Sequence, residues 1–128
     1  MEFVRASSYD GISTTGDVLL SGGLRMEDLH QRHVIVVEDI VDTGTTLSHL
    51  LPLLREAAQP KSLEICTLLE KRLVGVAKVK AKYTGFSIPD HFIVGFGLDY
   101  NELYRDVPEI WVISQAGIDF DATTLKNM

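Results

Sequence analysis

Apolar and polar positions along the chain change period several times, and each change marks an element. Val34-Ile-Val-Val37 is an unbroken β-branched run, the pattern of a strand covered on both faces, which is expected at the centre of a sheet. Leu47, Leu50, Leu51 and Leu54 then recur at the i, i+3, i+4, i+7 spacing of an amphipathic helix that ends before Pro60. Pro52 lies within that pattern and removes a backbone donor, so a kink is expected there. Ser62 to Leu69 reads as the next strand, and a strand, helix, strand unit almost always makes a parallel, right-handed crossover. Val76 to Lys82 alternates apolar residues with Lys78, Lys80 and Lys82, the pattern of an exposed edge strand with a solvated basic face. Phe92 to Phe96 and Ile110 to Ile113 read as two further strands. Near the start, Glu2 to Ser7 reads as a short strand, and the Ser-, Thr- and Gly-rich stretch Ser8 to Gly23 as a long flexible loop. The fold class this predicts is α/β, with a mainly parallel central sheet flanked by helices.

Length and composition narrow the possibilities. A chain of 128 residues fits a single domain, 1–128, and 45% apolar with 23% charged residues is the balance of a packed globular protein. A net charge of −6, from 18 acidic against 12 basic residues, would repel a phosphodiester backbone, so nucleic acid is not an expected partner. No apolar run approaches the roughly 20 residues that span a bilayer, and no secretory signal opens the chain, so the expected setting is cytoplasmic, away from membranes. The only cysteine, Cys66, lies among apolar neighbours and is expected to be a buried thiol on a strand. Phe3 and Val4 already read as strand, which suggests a domain incomplete at its N-terminus.

The chemistry concentrates in Glu38-Asp-Ile-Val-Asp-Thr-Gly-Thr-Thr46, directly after the apolar strand, where open α/β sheets bind their ligands. Thr43, Gly44, Thr45 and Thr46 offer hydroxyls, a permissive glycine and helix N-terminal amides, which together suit a phosphate dianion. The carboxylates Glu38, Asp39 and Asp42 would disfavour that anion unless they face another part of the ligand. A sugar diol fits, because acceptor-only carboxylates take hydroxyl donors and help hold a hard divalent cation. The segment therefore reads as a site for a ribose 5-phosphate. Asp42 and Thr43 could instead cap the helix, but a cap does not account for two adjacent acids ending an apolar strand.

Val34 to Thr46, VIVVEDIVDTGTT, resembles the phosphoribosyl pyrophosphate motif of the type I phosphoribosyltransferases. With Ser8-Tyr9, Leu69-Glu-Lys71, Phe92-Ile-Val-Gly-Phe-Gly-Leu-Asp-Tyr-Asn-Glu102 and Arg105, the resemblance is to their hypoxanthine-guanine branch, from Phe3 to about Ser114. It implies a type I phosphoribosyltransferase-like fold and a purine salvage transferase. The implied reaction joins hypoxanthine or guanine to phosphoribosyl pyrophosphate, giving IMP or GMP and pyrophosphate with Mg²⁺ as cofactor, in a homo-oligomer (dimer or tetramer). Residue by residue, it implies that Glu38 and Asp39 bind the ribose hydroxyls, Thr43, Gly44, Thr45 and Thr46 the 5-phosphate, and that Asp42 is the general base toward purine N7. Lys71 would donate to the purine 6-oxo group, Phe92 would stack on the ring and the backbone of Ile93 would sense the exocyclic position. Asp99 would hold the metal, Arg105 would meet pyrophosphate, and Ser8 and Tyr9 would lie on a loop that closes over the site. Against these stand plainer readings: a surface Lys71, a core Phe92 and a structural ion pair between Asp99 and Arg105.

By the same resemblance, the family's first strand, a covering helix and a short pyrophosphate-gripping loop are expected to fall outside this sequence, and Gly75 stands where relatives often have a basic residue. Two alternatives follow: a noncatalytic nucleotide-binding or regulatory module, and a xanthine-preferring transferase sharing the same motifs.

Overall fold

The structure, a computed structural model, describes residues 25–120. These divide into two compact units, one running to Ser87 and one starting at Ile88. In the first, a short 3-10 helix (Met26–Leu29) precedes β1 (His33–Val41), α1 (Thr45–Ala58), β2 (Ser62–Lys71) and all but the last residue of β3 (Tyr83–Ile88). Among the described residues these strands form one sheet in the order β1-β2-β3.

β1 and β2 run parallel, pairing Val34 with Leu63, Val36 with Ile65 and Val37 with Cys66, so the predicted strand, helix, strand unit is formed. β2 alternates strictly: Leu63, Ile65, Thr67, Leu69 and Lys71 are buried on one face. That face meets α1, whose Leu47, Leu50 and Leu54 form the core with Val41, Leu63, Ile65 and Ala81. The predicted helical stripe is therefore the one that packs, with Leu51 half-buried beside it. Pro52 lies inside α1 on its exposed side, and its missing N–H leaves the carbonyl one turn earlier without its helical donor.

Three expectations need correction. Among the described residues the middle strand is β2, not β1, because only β2 is hydrogen-bonded on both sides. β1 alternates between half-buried and exposed positions, with Ile35 and Val37 55% and 75% exposed on the face away from α1. Cys66, paired with Val37 on that same open face, is consequently half-buried rather than buried. The segment 76–82 is not a strand: it belongs to the irregular connection 72–82, although its alternation survives in a buried Ala81, a half-buried Val79 and exposed Lys78, Lys80 and Lys82. Pairing resumes only after Lys82, whose amide donates to the Ile65 carbonyl at 3.0 Å, and the ladder then holds β3.

β3 is hidden in the hydrophobic pattern by Gly85, and its contacts explain that glycine. Lys82 meets Ile65 and Gly85 meets Leu68, so β3 advances in the same direction as β2. A Cβ at Gly85 would stand 2.7 Å from the Leu68 carbonyl oxygen, a backbone atom that cannot rotate away. Gly85→Ala is therefore expected to destabilise the protein by about 1–3 kcal/mol, as overpacking does. A urea midpoint equal to that of wild type would refute it.

The second unit contains β4 (Ile93–Val94), β5 (Trp111–Val112) and α2 (Gln115–Asp119). β4 and β5 pair antiparallel, Ile93 with Val112 and Val94 with Trp111. Both are shorter than the predicted Phe92 to Phe96 and Ile110 to Ile113. Gly95, Phe96 and Gly97 all have positive φ (91°, 53° and 92°), which takes the backbone out of the extended region straight after Val94. Ser114 caps α2 by accepting from the Gly117 amide, and the Tyr104 hydroxyl donates to the Gly117 carbonyl at 3.0 Å.

Candidate active site

β1 continues past the apolar run through Glu38, Asp39 and Ile40 to Val41, because β2 extends equally far and pairs with it as far as Val41 and Glu70. Successive residues of a strand point to opposite faces. Glu38 is accordingly half-buried on the side of Val34 and Val36, whereas Asp39 is exposed on the side of Ile35 and Val37. The Asp39 Oδ1 accepts from the Ile40 amide at 2.7 Å. The structure thus does not bring these two acids onto one face.

Burial pushes the Glu38 carboxyl above the ordinary glutamate range, and the neighbouring Asp39 charge adds to the rise. A raised folded-state value means that the fold favours protonated Glu38. That contribution is complete below the ordinary glutamate value and is lost as pH climbs through the raised one. Glu38→Gln should therefore gain stability relative to wild type as pH rises from about 4 to about 7, read as diverging urea midpoints. A gap that stays constant with pH would count against it.

Beyond Val41 the chain turns through Asp42, Thr43 and Gly44 into α1. Gly44 is the N-cap residue, in the left-handed region at φ 72°, and makes no side-chain cap. The plain capping role for Asp42 is thereby not the one found. Thr43 Oγ1 lies 2.9 Å from Thr45 Oγ1 and accepts the Thr45 amide at 3.4 Å, which draws the turn into a small ring. The Thr46 and Leu47 amides belong to the first helical turn, where no earlier carbonyl of the helix can accept from them. A turn of this kind offers amide hydrogens and the positive end of the helix dipole to an oxyanion.

Asp42 meets a residue far along the chain. Lys71, the last residue of β2, is buried, and its Nζ donates to Asp42 Oδ2 at 2.9 Å. The two side chains differ sharply, Lys71 being 5% and Asp42 50% exposed, so the ammonium emerges from the core and the carboxylate reaches solvent. The surface-lysine reading is excluded. Lys71 also lines an open cleft of about 480 Å³ with Arg72, Lys78, Lys80 and Ser87.

In the second unit Phe92 is exposed and meets Tyr100 edge to face, centroids 6.0 Å apart, so it is not a core residue. Ile93 begins β4 and is half-buried. Asp99 Oδ1 pairs with Arg105 at 2.9 Å while its Oδ2 accepts the Glu102 amide at 2.8 Å, and Arg105 also donates to the Gly97 carbonyl. The ion pair weighed against the metal and pyrophosphate roles is thus formed. Among the described residues no three His, Cys, Asp or Glu side chains converge as a metal site. Ser8 and Tyr9 lie outside the described residues, and none of the described helices is long and apolar enough to cross a membrane.

A family model described as the phosphoribosyl transferase domain matches residues 1–101. The chain belongs to this family. Its α/β fold is the type I phosphoribosyltransferase fold, shared with solved phosphoribosyltransferases. One is a hypoxanthine phosphoribosyltransferase from Staphylococcus aureus, 38% identical with a TM-score of 0.73, the match covering 94% of this chain and 64% of that one. Another is a hypoxanthine-guanine phosphoribosyltransferase from Bacillus anthracis, 42% identical with a TM-score of 0.70 over 88% of this chain and 66% of that one. The hypoxanthine-guanine phosphoribosyltransferase of Homo sapiens is 42% identical over 117 residues, which is 91% of this chain and 53% of the human protein. This phosphoribosyltransferase chain thus spans about half the length of the mammalian relatives it matches.

Residue patterns did not point to Lys78 and Val79, which touch the Thr43–Gly44 turn from the connection 72–82. Gly44 is the one position whose residue type is consistent with their close approach, and its neighbour Val79 is seen only in the fold.

Proposed function

We propose that this phosphoribosyltransferase domain serves purine salvage, transferring ribose 5-phosphate from phosphoribosyl pyrophosphate to hypoxanthine or guanine. The observation that carries the reading is the Lys71–Asp42 pair, a donor and an acceptor 2.9 Å apart beside the phosphate-suited turn. A 6-oxopurine whose N9 attacks the ribose carries a hydrogen-bond acceptor at O6 next to a proton at N7. Lys71 matches the first and Asp42 the second. Adenine would present an amino donor to the ammonium, which has no acceptor to offer.

In the reaction, N9 forms a bond to the ribose C1′ as the bond from C1′ to pyrophosphate breaks, and the N7 proton passes to the Asp42 carboxylate. Removing that proton as the bond forms makes the base a better nucleophile. Thr43, Gly44, Thr45 and Thr46 hold the 5-phosphate; the ribose hydroxyls fall to Glu38 and Asp39 by family resemblance alone, since the two acids stand on opposite faces of β1. By family resemblance, Phe92 stacks on the purine, the Ile93 backbone reads its exocyclic edge and Arg105 meets the pyrophosphate. Asp99 would hold Mg²⁺ once its carboxylate exchanges Arg105 for the ion, with substrate phosphates completing the shell, since Mg²⁺ ordinarily rests on one or two carboxylates plus substrate phosphates rather than on a full protein cage. When bound, the ion would neutralise charge on the leaving pyrophosphate.

The test is a turnover assay of the purified chain with Mg²⁺, phosphoribosyl pyrophosphate and each base in turn. Formation of IMP and GMP, with adenine left largely unused, is expected. Nucleotide binding without turnover would favour a noncatalytic module, and equal use of adenine would remove Lys71 from the base pocket.

A further inference from the structure

The connection 72–82 holds none of the residues assigned to the reaction, yet it braces the phosphate turn twice. The Lys78 amide donates to the Thr43 carbonyl at 2.9 Å. Val79 fills the space that a side chain on Gly44 would occupy: a Cβ there would overlap Val79 Cγ2 and stand 3.3 Å from the Val79 backbone nitrogen.

Both contacts reach the turn from anchored atoms. Val79 packs against the core of α1, β1 and β2. Two residues on, Ala81 is buried and its amide donates to Glu70 Oε1 at 3.2 Å. The turn has little of its own to hold it, since Gly44 caps without a side chain and Thr43 bonds only to Thr45 through its hydroxyl. An oxyanion bound by backbone amides gains most when those amides are ordered before it arrives, because ordering them on binding would subtract from affinity. A strap behind the turn supplies that order without touching the ligand.

We propose that Val79 and the Lys78 backbone amide are positioning residues for the 5-phosphate subsite, acting through Gly44 and the Thr43 carbonyl. This rests on the reading of the Thr43–Thr46 turn as that subsite. Calorimetric titration of the chain with GMP and with guanosine separates a positioning role from a general structural one, because only GMP carries the phosphate. Val79→Ala is expected to weaken GMP roughly tenfold and guanosine by less than about twofold, and Val79→Thr, which keeps the branched shape, to restore most of the GMP affinity. Equal weakening of both ligands, or unchanged GMP affinity, would overturn the proposal. Wild-type protein that bound GMP no better than guanosine would instead overturn the phosphate reading of the turn. Restraint by the strap is read independently of ligand from amide exchange. In Val79→Ala the Thr45, Thr46 and Leu47 amides should exchange about tenfold faster while Leu63 to Leu69 hold their protection. Unchanged exchange at the turn would equally defeat the proposal.

Discussion

Asp42→Asn is expected to lower kcat for transfer to hypoxanthine by about 10²- to 10⁴-fold, the range that a positioned general base contributes. The substitution keeps shape and an oxygen acceptor but removes the charge that takes up the N7 proton. Because asparagine can still accept from Lys71 Nζ, which lies 2.9 Å from the carboxylate, folding should be retained and the loss should fall on kcat rather than on KM. Lys71 emerges from a buried position and orients the acid from behind, so the wild-type pair is already set before a purine arrives. Steady-state kinetics with hypoxanthine, alongside a thermal melt to establish folding, would measure the effect. Turnover within a few-fold of wild type would assign the proton to another group.

Lys71→Met should act on selectivity. Losing a hydrogen bond to a charged donor costs about 1.5–3 kcal/mol, roughly ten- to a hundredfold in relative kcat/KM. Hypoxanthine and guanine should lose that interaction, and adenine, never suited to it, should lose little. Methionine fills similar volume in a position only 5% exposed, so the core face of β2 remains packed. The measurement is the ratio of kcat/KM for hypoxanthine to that for adenine, and an unchanged ratio would detach Lys71 from base recognition. Should Asp42→Asn and Lys71→Met prove non-additive in the double variant, the pair acts as one unit, as contacting residues commonly do.

Several features of the site could be read before any fold was known. The threonine- and glycine-rich turn, the helix it opens and the acids ahead of it follow one another in the chain, and their chemistry depends on near neighbours. The leucine stripe of α1 is of the same kind: its period is a property of the helix, and the residues it nominates are those that pack. Family resemblance then nominated Lys71 and Asp42 separately, for the purine 6-oxo group and for N7, without pairing the two residues across the 29 positions between them.

Other features depended on register. Glu38 and Asp39 read as two acids ending a strand, and only the extension of β1 alongside β2 to Val41 sends them to opposite faces. Val76 to Lys82 alternates like a strand, yet alternation reports which side chains face the core, not whether the backbone has a partner. Pairing begins where Tyr83 can join the ladder. Gly85 illustrates the converse, a residue that weakens the strand signal but is required because the Leu68 carbonyl passes so close.

The sequence by itself therefore determined the family, the period of the central helix, and the kinds of group gathered near the turn, all properties of neighbouring residues. Only the tertiary structure decided that β2 lies between its neighbours, that Lys71 meets Asp42, and that Val79 stands behind Gly44. Those are distances between segments far apart in the chain, and they are set by how a parallel ladder and its connections pack against one shared core.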